Sequence, residues 1–212
     1  MHVFVANADG SSEHRLTDSG ARVDEFTPAW SPDGRSVAFG RAKGALPAVW
    51  LARSDGRSPR RLTAGWSPAW SPDGRRLVFT DHGVLWTIRR DGSERKRVTP
   101  PSTDPGCDFA AGDDYEGSPD WSADGTAIAF VRYCGSSDRA DEDAIFVIRP
   151  NGTGLRQLTA GPSDDSPSWA RDGRSIAFVR LGRAYSAPRG GGAPRTLYSA
   201  PKREVYEVAW KP

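Results

Sequence analysis

Acidic residues that could bind a cation are concentrated in two stretches of the chain, residues 100–118 and 132–143. Ca²⁺ takes six to eight oxygen ligands, and carboxylates from two neighbouring loops could supply them. The spacing is irregular, however, and neither stretch contains an Asp-x-Asp-x-Asp-Gly loop. We therefore favour solvated acidic loops or a patch for a basic partner and predict no cofactor, with Ca²⁺ as the alternative. The carboxylates that would bind Ca²⁺ are Asp108, Asp113, Asp114, Asp141 and Asp143.

Residue types for hydrolytic or zinc chemistry are sparse. The three histidines, His2, His14 and His82, are far apart and lack the spacing of metal ligands. A Gly-x-Ser-x-Gly nucleophile motif does not occur in the sequence. A Ser-His-acid triad would need one of these histidines beside a nucleophile, and nothing in the sequence indicates it. We therefore expect a protein that is not an enzyme, with no catalytic residues.

A five-residue phrase that opens with tryptophan recurs along the chain. Trp30-Ser-Pro-Asp-Gly34 is repeated at Trp70, and variants that keep the Asp-Gly pair begin at Trp121 and Trp169. A fifth tryptophan, Trp210, continues the series, and the successive intervals are 40, 51, 48 and 41 residues. Pro presets φ in such a turn and Gly accepts the positive φ of a tight hairpin, so each phrase predicts a turn between two strands.

The residues after each phrase repeat as well. A short aliphatic run ends in phenylalanine, a third strand leads to an Asp-Gly or Asn-Gly turn, and a fourth ends in Leu-Thr or Val-Thr. Four strands in 40 to 50 residues is the pattern of a propeller blade. We predict an all-β protein, one domain over residues 1–212, that is a β-propeller of four-stranded antiparallel blades. The complete blades are predicted at residues 24–63, 64–99, 100–159 and 160–200.

The two ends of the chain match different parts of one blade. Residues 1–17 match third and fourth strands, and residues 204–210 match a first strand. First and third strands run in the same direction, so they cannot pair antiparallel without the second strand. The sequence leaves two alternatives, namely about five blades with a fifth pooled from residues 1–17 and 201–212, or a fragment of a longer propeller.

Alternating strand direction sorts the connections onto two faces. The Asp-Gly turns lie on one face, here called the turn face, whereas the loops between second and third strands and between blades lie on the opposite loop face. Both long acidic stretches belong to the loop face, and elaborated loops often carry function. We therefore predict that a protein or peptide partner binds the loop face. Candidate binding residues are the strand-end arginines Arg41, Arg132 and Arg180, Trp66 in a blade-joining loop, and the loop acids Asp113 and Glu116.

The two cysteines, Cys107 and Cys134, fall on loops of the same blade and the same face. A disulfide between them would close a loop of about 27 residues and contribute roughly 3 kcal/mol in the chain-entropy model. Two free thiols are the alternative.

Charge and hydropathy exclude several classes of partner. The formal net charge is +2, with acidic residues dispersed among the arginines, which argues against nucleic acid. No stretch has the 18 apolar residues of a membrane span, and the first 20 residues lack the apolar region of a signal peptide. We expect a monomer without a membrane span.

The phrase Trp-Ser-Pro-Asp-Gly-Arg, the run ending in Phe, the Asp-Gly turn and the closing Arg-x-Leu-Thr together resemble the repeat of TolB-like, WD40-like propellers over essentially the whole chain. The resemblance implies a periplasmic or extracellular protein with a cell-envelope role and protein partners, and propellers that commonly have six blades. The family's partner-binding residues match no motif here. Similar propellers also gate prolyl-oligopeptidase-like peptidases, so a gating domain is one alternative function, and a sensor that binds a small molecule or carbohydrate is another.

Overall fold

The repeats form antiparallel β-sheets. A computed structural model of the chain describes residues 1–20, 22–44, 46–100, 115–133 and 143–198, and these residues form β-strands and no α-helix. Within these ranges no helix could therefore cross a membrane. The strands are β1 (Phe4–Val5), β2 (His14–Arg15), β3 (Asp24–Trp30), β4 (Ser36–Lys43), β5 (Leu46–Arg53), β6 (Arg60–Ala64), β7 (Trp66–Trp70), β8 (Arg76–Asp81), β9 (Val84–Arg89), β10 (Lys96–Arg97), β11 (Tyr115–Trp121), β12 (Ile128–Tyr133), β13 (Ala144–Ile148), β14 (Arg156–Gln157), β15 (Asp164–Trp169), β16 (Ser175–Arg180), β17 (Arg183–Pro188) and β18 (Arg195–Tyr198).

The strands group into four sheets of four and one sheet of two. Strands β3–β6, β7–β10, β11–β14 and β15–β18 each form an antiparallel sheet in chain order, and we call these sheets blades 1 to 4. Strands β1 and β2 pair with each other, in the place of third and fourth strands. The predicted all-β propeller of four-stranded blades is confirmed. Residues 204–210, predicted as a closing first strand, lie outside the described ranges.

The Trp-Ser-Pro-Asp-Gly phrase forms a hydrogen-bonded turn. In blade 1 the Ser31 hydroxyl donates to Asp33 Oδ1 at 2.5 Å, and the same oxygen accepts the backbone N–H of Arg35 at 3.0 Å. Gly34 follows with a φ of 66°, which glycine adopts without the steric cost of a Cβ. Asp73, Asp124 and Asp172 accept the equivalent backbone N–H in the other blades. The turn is therefore encoded locally in every copy.

The core lies within and between the blades. The repeated phenylalanines Phe39, Phe79, Phe130 and Phe178 are fully buried. Trp70 is buried against the preceding blade, and its indole N–H donates to the carbonyl of Ala29 at 3.1 Å. Trp30 is instead 50% exposed. The sheet that precedes it has two strands within the described residues.

The first strands of the blades lie innermost. Strand β7 contacts both β3 and β11, and β11 also contacts β15. Each first strand is an edge strand of its own sheet, and residues of all four line one cavity, here called the channel. The blades thus position their first strands for contact with anything that enters the channel.

Candidate functional site

Each first strand contains a β-bulge at a Ser-Pro or Thr-Pro pair. The bulged residues Thr27, Ser67, Ser118 and Ser166 have φ values of 46°, 49°, 48° and 51°, and the register shifts at the same place in all four blades. A left-handed conformation is uncommon for residues other than glycine, and a bulge redirects the side chain of a strand. The repeat therefore places one hydroxyl per blade at the channel.

These residues line a cavity of about 540 Å³. Its described lining is made of hydroxyl groups, proline rings and one carboxylate, and includes no histidine or cysteine. Such a surface can exchange hydrogen bonds with a polar group but offers no activated nucleophile. The lining residues are Thr27, Pro28, Ser67, Pro68, Ser118, Pro119, Asp120, Ser166, Pro167 and Ser168.

Asp120 is the one carboxylate of this lining. Burial raises its pKa from 3.8 to about 6, although hydrogen bonds from the backbone N–H groups of Trp169 and Trp121 oppose the rise. The bond from Trp169, in the next blade, joins its nitrogen to Asp120 Oδ2 at 2.7 Å. The channel wall therefore changes its charge near pH 6.

A tyrosine pair lies beside the channel between blades 3 and 4. Tyr133 donates its hydroxyl hydrogen to Asp165 at 2.7 Å, and Tyr115 stacks on the Tyr133 ring with centroids 4.2 Å apart. Gly117 leaves room for the stack, because a Cβ there would lie 3.2 Å from the Tyr133 ring. Burial, together with the Asp165 charge, raises the pKa of Tyr133, so its phenol stays protonated. Tyr115 is 38% exposed and presents an aromatic surface to solvent.

The three predicted arginines form buried ion pairs. Each lies near the loop-face end of a second strand and pairs with a fully buried carboxylate of the first strand, sixteen residues earlier. Each of these arginines is thus paired with a carboxylate inside its blade, and a role of the arginines and Glu116 in partner binding stays a prediction. The pairs are Arg41–Glu25 at 2.6 Å, Arg132–Glu116 at 2.7 Å and Arg180–Asp164 at 2.5 Å.

The same carboxylates connect neighbouring blades. Glu25 accepts hydrogen bonds from the hydroxyl of Thr17 and the backbone N–H of Val3, both in the N-terminal sheet. Glu116 accepts a bond from the backbone N–H of Leu85 in blade 2 at 3.2 Å. Burial raises the pKa of Glu116 despite Arg132, whereas for Glu25 the bonds from Thr17 and Arg41 outweigh burial and lower the pKa. These residues hold blades together.

Blade 2 lacks this ion pair. Gly65 stands in the place of the carboxylate and Asp81 in the place of the arginine. A Cβ at Gly65 would lie 2.4 Å from the Thr80 carbonyl oxygen, so the position has no room for a side chain. Asp81 pairs instead with Arg95, whose guanidinium lies 4.4 Å from the ring centroid of Trp86.

The remaining predicted site residues lie apart from these ion pairs or outside the described ranges. Trp66 lies in strand β7, opposite Thr80, and is half-buried, so its expected position in a blade-joining loop is wrong. Asp143 is described, and its carbonyl accepts the backbone N–H of Asp164 at 3.0 Å. The described ranges contain no group of three or more His, Cys, Asp or Glu residues placed to hold a metal ion. Outside those ranges lie Cys107, Cys134, Asp108, Asp113, Asp114 and Asp141.

Two exposed leucines stand at hairpin tips on the loop face and were not predicted. Leu46 begins β5 and is 83% exposed, and Leu181, between β16 and β17, is 67% exposed. Leu181 has a φ of 47° in a tight turn that favours Asn, Asp or Gly. The equivalent residue of blade 2 is His82, with an 88% exposed side chain. The exposed side chain of Leu181 adds nothing to the core. The one signal of it in the sequence is an apolar residue at a predicted hairpin tip.

Part of the chain is similar in sequence to a known protein. No family model matches the chain. An uncharacterized protein of Agrobacterium fabrum is 31% identical over an alignment of 141 residues that covers 62% of this chain and 47% of that protein. The chain thus spans about half the length of this relative.

Solved structures match over almost the whole chain. TolB from Acinetobacter baumannii superposes with a TM-score of 0.70 and 22% identity, over 92% of this chain and 48% of that one. A putative TolB from Agrobacterium tumefaciens gives 0.70 and 22%, over 90% and 71%. A chain of a nidogen/laminin complex gives 0.72 and 14%, over 95% and 73%. At these identities the likeness concerns the fold, and the chain has the TolB-like β-propeller fold.

Proposed function

We propose that this propeller is a non-catalytic scaffold that binds a protein or peptide partner through its loop face, in the cell envelope. The observation that carries the proposal is the exposure of Leu46 and Leu181 at hairpin tips on that face. Leu181 also has a left-handed backbone conformation, and backbone strain of this kind clusters at binding sites.

The rest of the loop face suits this role. The buried ion pairs of Arg41, Arg132 and Arg180 fix the ends of the second strands, so the hairpins that follow are held on rigid supports. A preorganised surface loses little entropy on binding. The half-exposed Tyr115 adds an aromatic contact of the kind that is enriched in binding hot spots.

One of the neighbours in structure supports the same class of function. The nidogen/laminin structure is, by its description, a complex of proteins, and its matching chain shares this fold. The resemblance to TolB motivates the envelope location. The channel contributes hydroxyl groups and Asp120, which suit a polar segment of the partner inserted at the channel mouth.

Photo-crosslinking from the leucine positions tests the proposal. A photoreactive amino acid replaces Leu181 in one variant and Leu197 in another, and each is exposed to envelope extract of the source organism. Leu197 is 47% exposed on the outermost strand β18 and serves as the matched control. We expect a discrete crosslinked protein from position 181 and none from position 197.

Charge substitution provides the second arm. The double variant Leu46→Asp/Leu181→Asp should reduce capture of the same protein at least about tenfold, whereas Leu197→Asp should leave it unchanged. Thermal melting of each variant reports folding. Equal capture by the double variant and the control would overturn the choice of face.

A further inference from the structure

The turn face carries a second surface, unrelated to the loop-face contact. A groove between blades 1 and 2, with a volume of about 1070 Å³, is lined by the turns of both blades. This volume is at the upper limit for small-molecule sites, which favours a segment of a macromolecule as the occupant. Five arginines and three aspartates supply its charge, namely Arg60, Arg75, Arg76, Arg89, Arg90, Asp33, Asp73 and Asp91.

Part of this charge is structural. Arg90 reaches from blade 2 to blade 1, where it donates to the Ser36 hydroxyl at 2.7 Å and lies 3.6 Å from Asp33. Its guanidinium also lies 5.6 Å from the ring centroid of Trp70. Arg60 donates to the carbonyl oxygen of Arg90. These two arginines hold the blades together and are in fixed positions.

The same arrangement of two arginines, here called the turn-face clasp, recurs between blades 3 and 4. Arg189 pairs with Asp124 at 2.7 Å, and Arg156 donates to the carbonyl oxygen of Arg189. The clasp therefore belongs to the architecture and cannot by itself explain the basic groove. It provides an internal reference against which the remaining arginines can be compared.

The basic excess of the groove comes from blade 2. Arg75, Arg76 and Arg89 of blade 2 correspond to Arg174, Ser175 and Pro188 of blade 4, so two of the three positive charges are absent from the second site. Arg76 and Arg89 share a single carboxylate, Glu94. Arg75 is exposed, and within the described residues no carboxylate lies within ion-pair distance of it. Arg75 thus presents an exposed guanidinium to an anion, and Arg76 and Arg89 together carry one positive charge more than the Glu94 carboxylate that they share.

We propose that this arginine groove binds an acidic peptide segment of a partner protein. Guanidinium groups recognise carboxylates through paired N–H donors. Asp33, Asp73 and Asp91 also line the groove, where each accepts hydrogen bonds within its own turn and has lone pairs left for a further donor. A peptide supplies such donors from its backbone N–H groups between its carboxylates, whereas a phosphodiester backbone supplies none.

Fluorescence anisotropy with a labelled ten-residue glutamate peptide tests the inference. The wild-type chain should bind it with an affinity that falls as salt rises, as screening requires. Arg75→Glu should weaken binding about fivefold, the scale of one exposed ion pair lost and one repulsion gained. Arg174→Glu, at the same turn position in blade 4, is the matched control and should change affinity less than twofold.

Two competing ligands complete the test, a ten-nucleotide single-stranded DNA and vesicles of phosphatidylglycerol. Weaker binding of both than of the peptide supports the proposal. Tighter Arg75-dependent binding of the DNA or the vesicles would overturn it in favour of a nucleic acid or a membrane. Equal loss for Arg75→Glu and Arg174→Glu would also overturn it, since the effect would then reflect net charge. The Leu46→Asp/Leu181→Asp variant should bind the peptide like the wild type, which separates this proposal from the loop-face contact.

Discussion

Replacing Asp120 by asparagine should change how the stability of the propeller depends on pH. The carboxylate lies in the channel wall, and one of its oxygens accepts the backbone N–H of Trp169 at 2.7 Å. Asparagine has the same shape and can accept this hydrogen bond, but it carries no charge. The substitution therefore isolates the energetic cost of holding a negative charge at this place.

The sign and the size follow from the pKa. Burial raises the pKa of Asp120 to about 6 in the folded chain, above the 3.8 of an unperturbed group. Between these values the folded state binds more protons than the unfolded state, so the free energy of unfolding falls as pH rises. At about 1.4 kcal/mol per pKa unit, the loss between pH 4 and pH 7 is at most about 3 kcal/mol. Asp120→Asn should avoid this loss.

Urea unfolding of the wild type and of Asp120→Asn at pH 4, 5, 6 and 7 measures the effect. The free energy of unfolding of the variant minus that of the wild type should increase from pH 4 to about pH 6 and then level off. Carboxyl ¹³C NMR of Asp120 should show its titration near pH 6. A constant difference between the two proteins, or a titration midpoint near 4, would refute the assignment of a buried carboxylate in the channel wall.

Three further substitutions, measured by thermal and urea unfolding, test the buried ion pair of blade 3, the blade 2 junction and the turn-face clasp. Arg132→Met leaves the Glu116 carboxylate buried without its guanidinium, so we expect the free energy of unfolding to fall by about 3–5 kcal/mol. Adding Glu116→Gln should restore part of this stability, and no restoration would contradict the role of the pair. Gly65→Ala should cost about 2 kcal/mol or more, because its Cβ would meet a backbone carbonyl oxygen at 2.4 Å, whereas Gly190→Ala, which has open space, should cost less than about 1 kcal/mol. Arg189→Ala should cost about 1 kcal/mol, and an unchanged melting temperature would show that the turn-face clasp adds nothing.

The fold was predictable because its signals are local. The turn phrase forms its own hydrogen bonds within five residues, as Ser31, Asp33 and Gly34 illustrate, so its position along the chain fixes the strands on either side. The repeated tryptophans and phenylalanines then identify the buried side of each sheet. Strand ends were predicted less well, because hairpin length depends on pairing across strands. For this reason Arg41, expected at a strand end, lies within β4.

The candidate site was harder to predict because it depends on contacts between repeats. The carboxylate and arginine of each buried pair are separated by sixteen residues in three blades, as in Glu25 and Arg41, and this regular spacing could have revealed them. The Ser-Pro or Thr-Pro pair before each tryptophan was a second available signal. The raised pKa of Asp120, by contrast, arises from burial between two blades, which sequence spacing does not express.

The missing carboxylate at Gly65 has a consequence for the propeller as an array of coupled repeats. In repeat proteins, stability is approximately the sum of each unit's own stability and the coupling to its neighbours. Blade 2 meets blade 1 on the loop face through the backbone bond from Gly65 to Pro47, at 3.2 Å, without the acidic side chain that reinforces the blade 3 junction. The coupling of blade 2 to blade 1 on the loop face is therefore weaker, and the turn-face clasp of Arg90 supplies a larger part of the coupling between these two blades. Separation of the array should therefore begin on the loop face, at the boundary between blades 1 and 2.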